Sequence, residues 1–302
     1  MRRRRASWTV ALAVLFVAGC GGSQSTEADK GGGRSDRLVD FSKKPPYVNA
    51  LDIDPATGDY LLTTNRGFWR IDPQTDAVAP MRGKVTANSR TATVGTFLEL
   101  LSTGPGELVG SGHRDRQGTL LSFLGFIASQ DGGRSSKVVS RLGEADLHKI
   151  VAKHGRLYAF DAVLGTLLIT RDGGRTFTER FTPPQLIIDF EVDPGDPDHF
   201  LASSDERLFR SEDGGERLRA IQTGEGIRLA WPAADALYRA EKDGSVQRSR
   251  DGGDGWERVG RAPGEPYKFK ATGSERLLLA LSDGTVAATS DGGRSWSEVF
   301  EP

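Results

Sequence analysis

The sequence predicts an all-β chain, a six-bladed β-propeller with four-stranded antiparallel blades. Three observations predict it. First, a Ser/Thr-x-Asp-Gly-Gly turn recurs with its aspartates at Asp131, Asp172, Asp213, Asp251 and Asp291, at spacings of 41, 41, 38 and 40 residues. A fixed period near forty signifies stacked or radial repeats. Second, the segments between these turns alternate apolar and polar residues, the period of half-buried strands. Third, a sixth copy without the turn precedes them. Leu51-Asp52-Ile53-Asp54-Pro55 aligns with Phe190-Glu191-Val192-Asp193-Pro194, and its turn has decayed to Asp72-Pro73-Gln74-Thr75. Repeated β units that close radially leave only short, protected edges.

The turn has a physical logic. Its aspartate can accept hydrogen bonds from backbone N–H groups of its own loop, and Gly-Gly supplies positive φ. The Ser or Thr two residues earlier offers a hydroxyl to the same loop. An aromatic residue five positions after the aspartate (Phe177, Trp256, Trp296) packs back on the sheet, with Ser136 and Leu218 in the two degenerate copies. The pattern resembles the Asp-box, or bacterial neuraminidase repeat, of sialidase-like propellers. That resemblance implies structural boxes rather than calcium loops or catalytic groups.

The repeats run at about 47–81, 92–142, 146–182, 186–222, 227–261 and 267–302, the second lengthened mainly by Asp115 to Ser122. The fourth is the clearest. Ile187 to Val192 forms the first strand, His199 to Ser203 the second and Leu208 to Ser211 the third, and a fourth lies near Ala220. By strand count the chain enters on an inner strand and leaves on an outer one, although Leu38 to Phe41 could pair with the last blade.

Residues 1–19 read as an export signal: Arg2 to Arg5, then an apolar run from Ala11 to Ala18 too short for a comfortable permanent span. The ending Val17-Ala18-Gly19-Cys20 resembles a bacterial lipobox, which implies lipidation of Cys20. Cys20 is the only cysteine, so no intramolecular disulfide forms. Residues 20–44 are the lipidated Cys and a Gly/Ser-rich flexible linker, and 45–302 the propeller. Cleavage before Cys20 removes four of the 40 basic residues, leaving 36 against 41 acidic, a net −5. Export and negative charge argue against nucleic acid. The expectation is a monomer anchored on the outer face of the bacterial cytoplasmic membrane or in the cell envelope.

Strand alternation sorts the loops. Box turns and first hairpin turns share one face; the loops after second strands and the leads into first strands share the other, at the channel mouth. His154 and His199 fall on the box face. His113, in Gly110-Ser111-Gly112-His113-Arg114-Asp115, and His148, in Gly143-Glu144-Ala145-Asp146-Leu147-His148, fall on the mouth face of adjacent repeats. These two segments resemble those of bacterial lipoproteins termed glycosyl-hydrolase-like, whose first blade typically opens with His-x-His-Gly. Here Tyr47-Val48-Asn49-Ala50 stands in that place. The resemblance implies a ligand or catalytic site among His113, His148, Asp115, Glu144, Asp146, Tyr47 and Asn49. Any divalent metal would rest on His113 and His148 with Asp146 or Asp115, and Asn49 as a weak oxygen ligand; two hydrogen-bonded histidines are the plainer reading.

Other polar residues on that face are Asn65, Arg66, Asp161, Asp205, Glu206, Arg228, Glu241 to Asp243, Lys268 and Asp283; Tyr47 or Trp231 could stack on a sugar. Trp69-Arg70-Ile71-Asp72 resembles the arginine motif of true sialidases. Arg70 aligns with Arg210, however, so repeat membership accounts for it, and no arginine triad or Tyr/Glu nucleophile pair is recognisable. Two functions follow: binding of a glycan, peptide or envelope protein without catalysis, or glycoside hydrolysis by mouth-face carboxylates with His113 and His148.

Overall fold

The computed structural model describes residues 48–301 apart from 65–66, 76, 116–117 and 181–184. The export signal, Cys20, the linker, Leu38 to Phe41, Tyr47, Asn65 and Arg66 therefore lie outside the described residues.

The described chain is all-β. The first blade is β1 (Val48–Ile53), β2 (Tyr60–Thr64), β3 (Gly67–Ile71) and β4 (Val78–Met81). The second repeat contains β5 (Lys84–Ala87), β6 (Arg90–Gly104), β7 (Glu107–Arg114), β8 (Phe126–Ser129) and β9 (Ser135–Ser140). Then come β10 (Leu147–Lys153), β11 (Arg156–Asp161), β12 (Thr166–Thr170) and β13 (Thr178–Glu179), followed by β14 (Asp189–Val192), β15 (Phe200–Ser203), β16 (Arg207–Ser211) and β17 (Arg219–Thr223). The last two repeats are β18 (Arg228–Ala233), β19 (Ala236–Ala240), β20 (Ser245–Ser249), β21 (Glu257–Arg261), and β22 (Pro266–Ala271), β23 (Leu277–Leu281), β24 (Val286–Thr289), β25 (Ser297–Phe300).

Five of these sheets are four-stranded blades in chain order, and the second is not. The expectation of six four-stranded blades is corrected to five. In the second repeat β5 pairs with β6 through a two-residue turn at Asn88 and Ser89, whose φ values of 48° and 64° suit a tight hairpin. On its other edge β5 runs parallel to β9, so the five strands close on themselves. The degenerate box explains how. Where three of the other four boxes carry an aromatic, Ser136 is small, and Val85 lies directly opposite it in the parallel pair. The added length of this repeat thus lies in the β5–β6 hairpin as well as in the loop after β7.

The innermost strand of each unit faces the centre (β6 in the second unit, the first strand in the others), and these strands pack in the order β1, β6, β10, β14, β18, β22 and back to β1. Buried side chains fill the gaps between sheets, as where Tyr158, Phe160, Phe190 and Phe200 meet between the third and fourth units. Burying each such aromatic contributes roughly 1.5–3 kcal/mol.

The boxes lock these junctions. In all five, the Ser or Thr hydroxyl donates to the aspartate Oδ1 at 2.7–3.0 Å and accepts the N–H of the second glycine at 2.8–3.2 Å. The same Oδ1 accepts the N–H four residues on, at 2.8–3.0 Å. Hydrogen bonds led by the Thr176 and Ser295 hydroxyls hold Asp172 and Asp291 well below the usual carboxylate range. The second glycine is required twice over. Gly174 has φ 84°, and a Cβ there would lie 2.2 Å from the Phe126 ring of the preceding unit. Gly133 against Phe68 and Gly215 against Leu167 repeat that close approach. Trp256 and Trp296 are half-buried rather than enclosed, each indole donating to the second glycine's carbonyl at 3.2 Å.

Candidate functional site

The six first strands enclose a central channel containing a cavity of about 220 Å³. Strand register defines its levels. Glu99 pairs with Ser111, Lys149 with Phe160, Asp189 with Ser203, Arg228 with Ala240 and Lys268 with Ala280. Each partner lies three residues beyond the one that pairs with its own box hydroxyl, so the five charged residues share one level. Ala50, opposite Thr63, holds the sixth position. Around the ring the level reads Ala50, Glu99, Lys149, Asp189, Arg228, Lys268.

The charges pair unevenly. Lys149 Nζ lies 2.7 Å from Asp189 and 3.5 Å from Glu191, one level below. Burial opposes its charge, but Asp189, Glu191 and Glu99 outweigh that and raise its pKa. The second Asp189 oxygen accepts the Leu229 N–H at 2.9 Å. Asp52 pairs with Lys270 at 3.1 Å and accepts the Ser102 N–H at 2.6 Å. At the box end, Lys153 donates to Glu191, the Val192 carbonyl and the Trp231 carbonyl at 3.1, 2.6 and 2.6 Å. Its stem and ammonium narrow that end.

Three groups of the level are left over. Glu99 is buried, and burial pushes its carboxyl up in spite of Lys268, Lys149 and Lys270. Lys268 has no ion pair among the described residues; burial lowers its pKa, opposed by the charges of Glu99 and Asp189 and helped by those of Lys149 and Arg228. Arg228 spends Nε on the Tyr267 carbonyl at 2.6 Å, and its Nη1 is buried without a hydrogen-bond partner.

At the mouth, between the second and third units, Asp146 bridges two imidazoles. His113 Nε2 is 3.3 Å from one carboxylate oxygen and His148 Nε2 3.1 Å from the other. Burial resists ionisation, but the close contacts and charge of the two histidines take Asp146 down to about 2. The Gly-Ser-Gly-His segment builds this junction. A Cβ on Gly110 or Gly112 would sit 2.5 Å from the Glu99 carbonyl or 2.2 Å from that of Thr96, so only glycine lets β7 press onto β6. Between them Ser111 Oγ accepts the Leu147 N–H at 3.2 Å, tying β7 to β10.

The structure thus brings His113, Asp146 and His148 together and leaves the other candidates apart. Glu144 is exposed; Asp115 shapes its loop, its carbonyl accepting from Arg114 at 2.6 Å; Asn49 Nδ2 is buried without a partner. No group of three or more His, Cys, Asp or Glu side chains could hold a metal ion among the described residues. The two rings address different oxygens of one carboxylate instead of converging on a point, so the donor set does not fit a metal. Trp231 is buried against His199, ring centroids 5.1 Å apart, and cannot stack on a sugar. On the box face, Arg70 pairs with Asp54 and Asp59, each at 2.8 Å, as a brace for its hairpin.

Sequence reasoning placed Arg228 and Lys268 on the mouth face but missed Glu99, Lys149, Asp189, Glu191 and Lys270. The available signal was a charged residue at the same position of five innermost strands.

The ring of sheets and its box turns define a BNR-type β-propeller. Residues 182–301 match the family described as photosynthesis system II assembly factor YCF48. Among solved structures, YCF48 from Cyanidioschyzon merolae is similar with a TM-score of 0.51 at 15% identity, over 82% of this chain and 96% of that one. A structure of YCF48 bound to D1 peptide gives 0.53 at 9%, over 82% and 94%. An ancestral GH74 enzyme gives 0.55 at 12%, over 81% of this chain but only 36% of the enzyme. At these identities the likeness is one of fold. No curated protein matches the chain.

Proposed function

We propose that the chain is an exported, lipid-anchored propeller that binds a peptide or a protein segment at its channel mouth, without catalysis. The observation that carries this reading is the pairing inside the channel. Glycoside hydrolysis uses two carboxyl groups, one as acid and one as base or nucleophile. Here Asp189, Glu191 and Asp52 are each held by a lysine, and only Glu99 is left without one. The cavity, about 220 Å³, is also below the usual size of a small-molecule site. It suits a side chain better than a sugar chain.

The mouth face supports a polypeptide ligand. Of five large apolar side chains exposed among the described residues, Leu121 (57%), Val163 (50%), Leu164 (46%) and Leu186 (62%) lie on mouth-face loops of consecutive units. Exposed apolar groups that collect on one face mark interaction surfaces. The neighbouring fold of YCF48 has been captured with a peptide. Lipidation at Cys20 and a linker to residue 44 would tether the propeller to the membrane. A carbohydrate-active enzyme remains the second reading, favoured by Glu99, whose raised pKa would suit a general acid.

The test is a parallel screen of the purified chain against a peptide array and a panel of glycosides and envelope polysaccharides. Saturable peptide binding without turnover is expected. Turnover abolished by Glu99→Gln would replace this reading with the enzyme. Cys20→Ala is expected to stop fatty-acid labelling of the protein in cells, and unchanged labelling would exclude the anchor.

A further inference from the structure

The charged level of the channel is incomplete as it stands. It holds three cations, Lys149, Arg228 and Lys268, and two carboxylates, Glu99 and Asp189. Including the levels below adds Lys270 and Lys153 against Asp52 and Glu191, so the channel as a whole also carries one positive charge in excess. That excess is localised. Asp189 lies between Lys149 and Arg228 in the ring, but its oxygens go to Lys149 and to the Leu229 N–H. Arg228 is therefore left facing Lys268, a like charge. On the other side of Lys268 lies the first unit, where Ala50 holds this level and Leu51 lines the cavity, so that sixth of the ring brings no polar side chain to the level. A half-buried arginine with an unpartnered Nη1, beside a half-buried lysine with no ion pair, is a costly arrangement for a folded protein.

We propose that the sector of the channel formed by Arg228 and Lys268 is a binding site for a carboxylate, which enters from the channel mouth. The proposal deepens the binding function above and rests on it, for it names the group through which a ligand engages the channel. Charge selects a monoanion. One negative charge neutralises the level, whereas a dianionic phosphate would overshoot and would face Asp189 and Glu99 across the same small cavity. Shape agrees, since a guanidinium presents its donors in a plane that fits a planar carboxylate. The carboxylate can belong to an aspartate or glutamate side chain, a chain terminus or a small organic acid; the recognition chemistry is shared.

The experiment is a titration of the full chain in detergent with sodium propionate, read by backbone amide shifts of residues 227–229 and 267–271, with sodium phosphate and sodium chloride as controls. Peptides in the array carry either acidic residues or their Asn/Gln counterparts. Propionate is expected to saturate, to outcompete phosphate and to bind at least tenfold more weakly to Lys268→Gln and to Arg228→Gln. If Arg228→Gln does not fold, Arg228→Lys retains the charge without the planar fork and is expected to weaken binding several-fold. Acidic peptides are expected to bind and their amide counterparts to lose at least tenfold. Propionate that fails to saturate, or that binds the variants as well as wild type, overturns the carboxylate site. If peptides then bind equally in acid and amide forms, the peptide reading survives alone. Saturable propionate binding that both variants lose, with no peptide bound, leaves the site standing and removes the peptide.

Discussion

The two ends of this propeller are built by opposite rules. On the box face one arrangement occurs five times, with the same hydroxyl, the same carboxylate oxygen and the same glycine N–H in contact. At the channel level the five equivalent positions carry Glu99, Lys149, Asp189, Arg228 and Lys268, and the sixth is Ala50. Repetition at the first place reflects a task common to every unit, the joining of one sheet to the next. Variation at the second means that the residues are fitted to one another and to whatever enters. Within the channel, Lys149, Asp189 and Glu191 satisfy each other, while Arg228 and Lys268 do not.

That contrast can be broken in order of expected effect. Gly174→Ala attacks the box where it is tightest, combining positive φ with a clash against the Phe126 ring, and should cost about 3–5 kcal/mol by denaturant titration. A loss under about 1 kcal/mol would show that the close approach relaxes freely. Lys149→Met leaves Asp189 and Glu191 without their shared cation and should cost about 3 kcal/mol. Asp291→Ala removes one set of turn acceptors, an effect of about 1–2 kcal/mol by comparison with the loss of a cap. Trp296→Ala should stay below the roughly 3–5 kcal/mol of a fully enclosed ring, because the indole is only half-buried.

Acid sharpens the same comparison. Asp146 has a folded pKa depressed to about 2, so its contribution is present above the ordinary carboxylate range and is lost as pH falls through about 4 to 2. Asp146→Asn should flatten that part of the stability profile. An unchanged profile would mean that the box aspartates alone account for acid sensitivity. The smallest effect is expected from His113→Ala/His148→Ala in the presence of zinc. Melting temperature should not respond to the metal in wild type or variant, and a zinc-dependent rise confined to wild type would restore a metal site at this junction.

Most of the ring was legible in the sequence because the box motif fixes its own period. What failed was the second unit, and the reason is visible in Ser136. A degenerate box predicts a weaker copy of the same blade, but the small residue made room for β5 to close the sheet, a tertiary choice that no local pattern announces. The His113–Asp146–His148 cluster was legible because both segments flank one blade junction. The charged level was not. Lys149 and Asp189 are 40 residues apart, and nothing short of strand register puts Lys268 on a level whose sixth position is Ala50.

The division between a face that holds the fold and a channel that takes a ligand is tested most directly by one set of thermal melts, with and without propionate, on wild type, Asp291→Ala and Arg228→Gln/Lys268→Gln. Asp291→Ala should melt lower than wild type yet keep the full propionate-dependent rise. The double channel variant should melt at or above wild type and lose that rise, since binding to the native state alone raises the midpoint. A rise that survives the channel variant, or one that disappears with Asp291→Ala while the protein remains folded, would contradict the account.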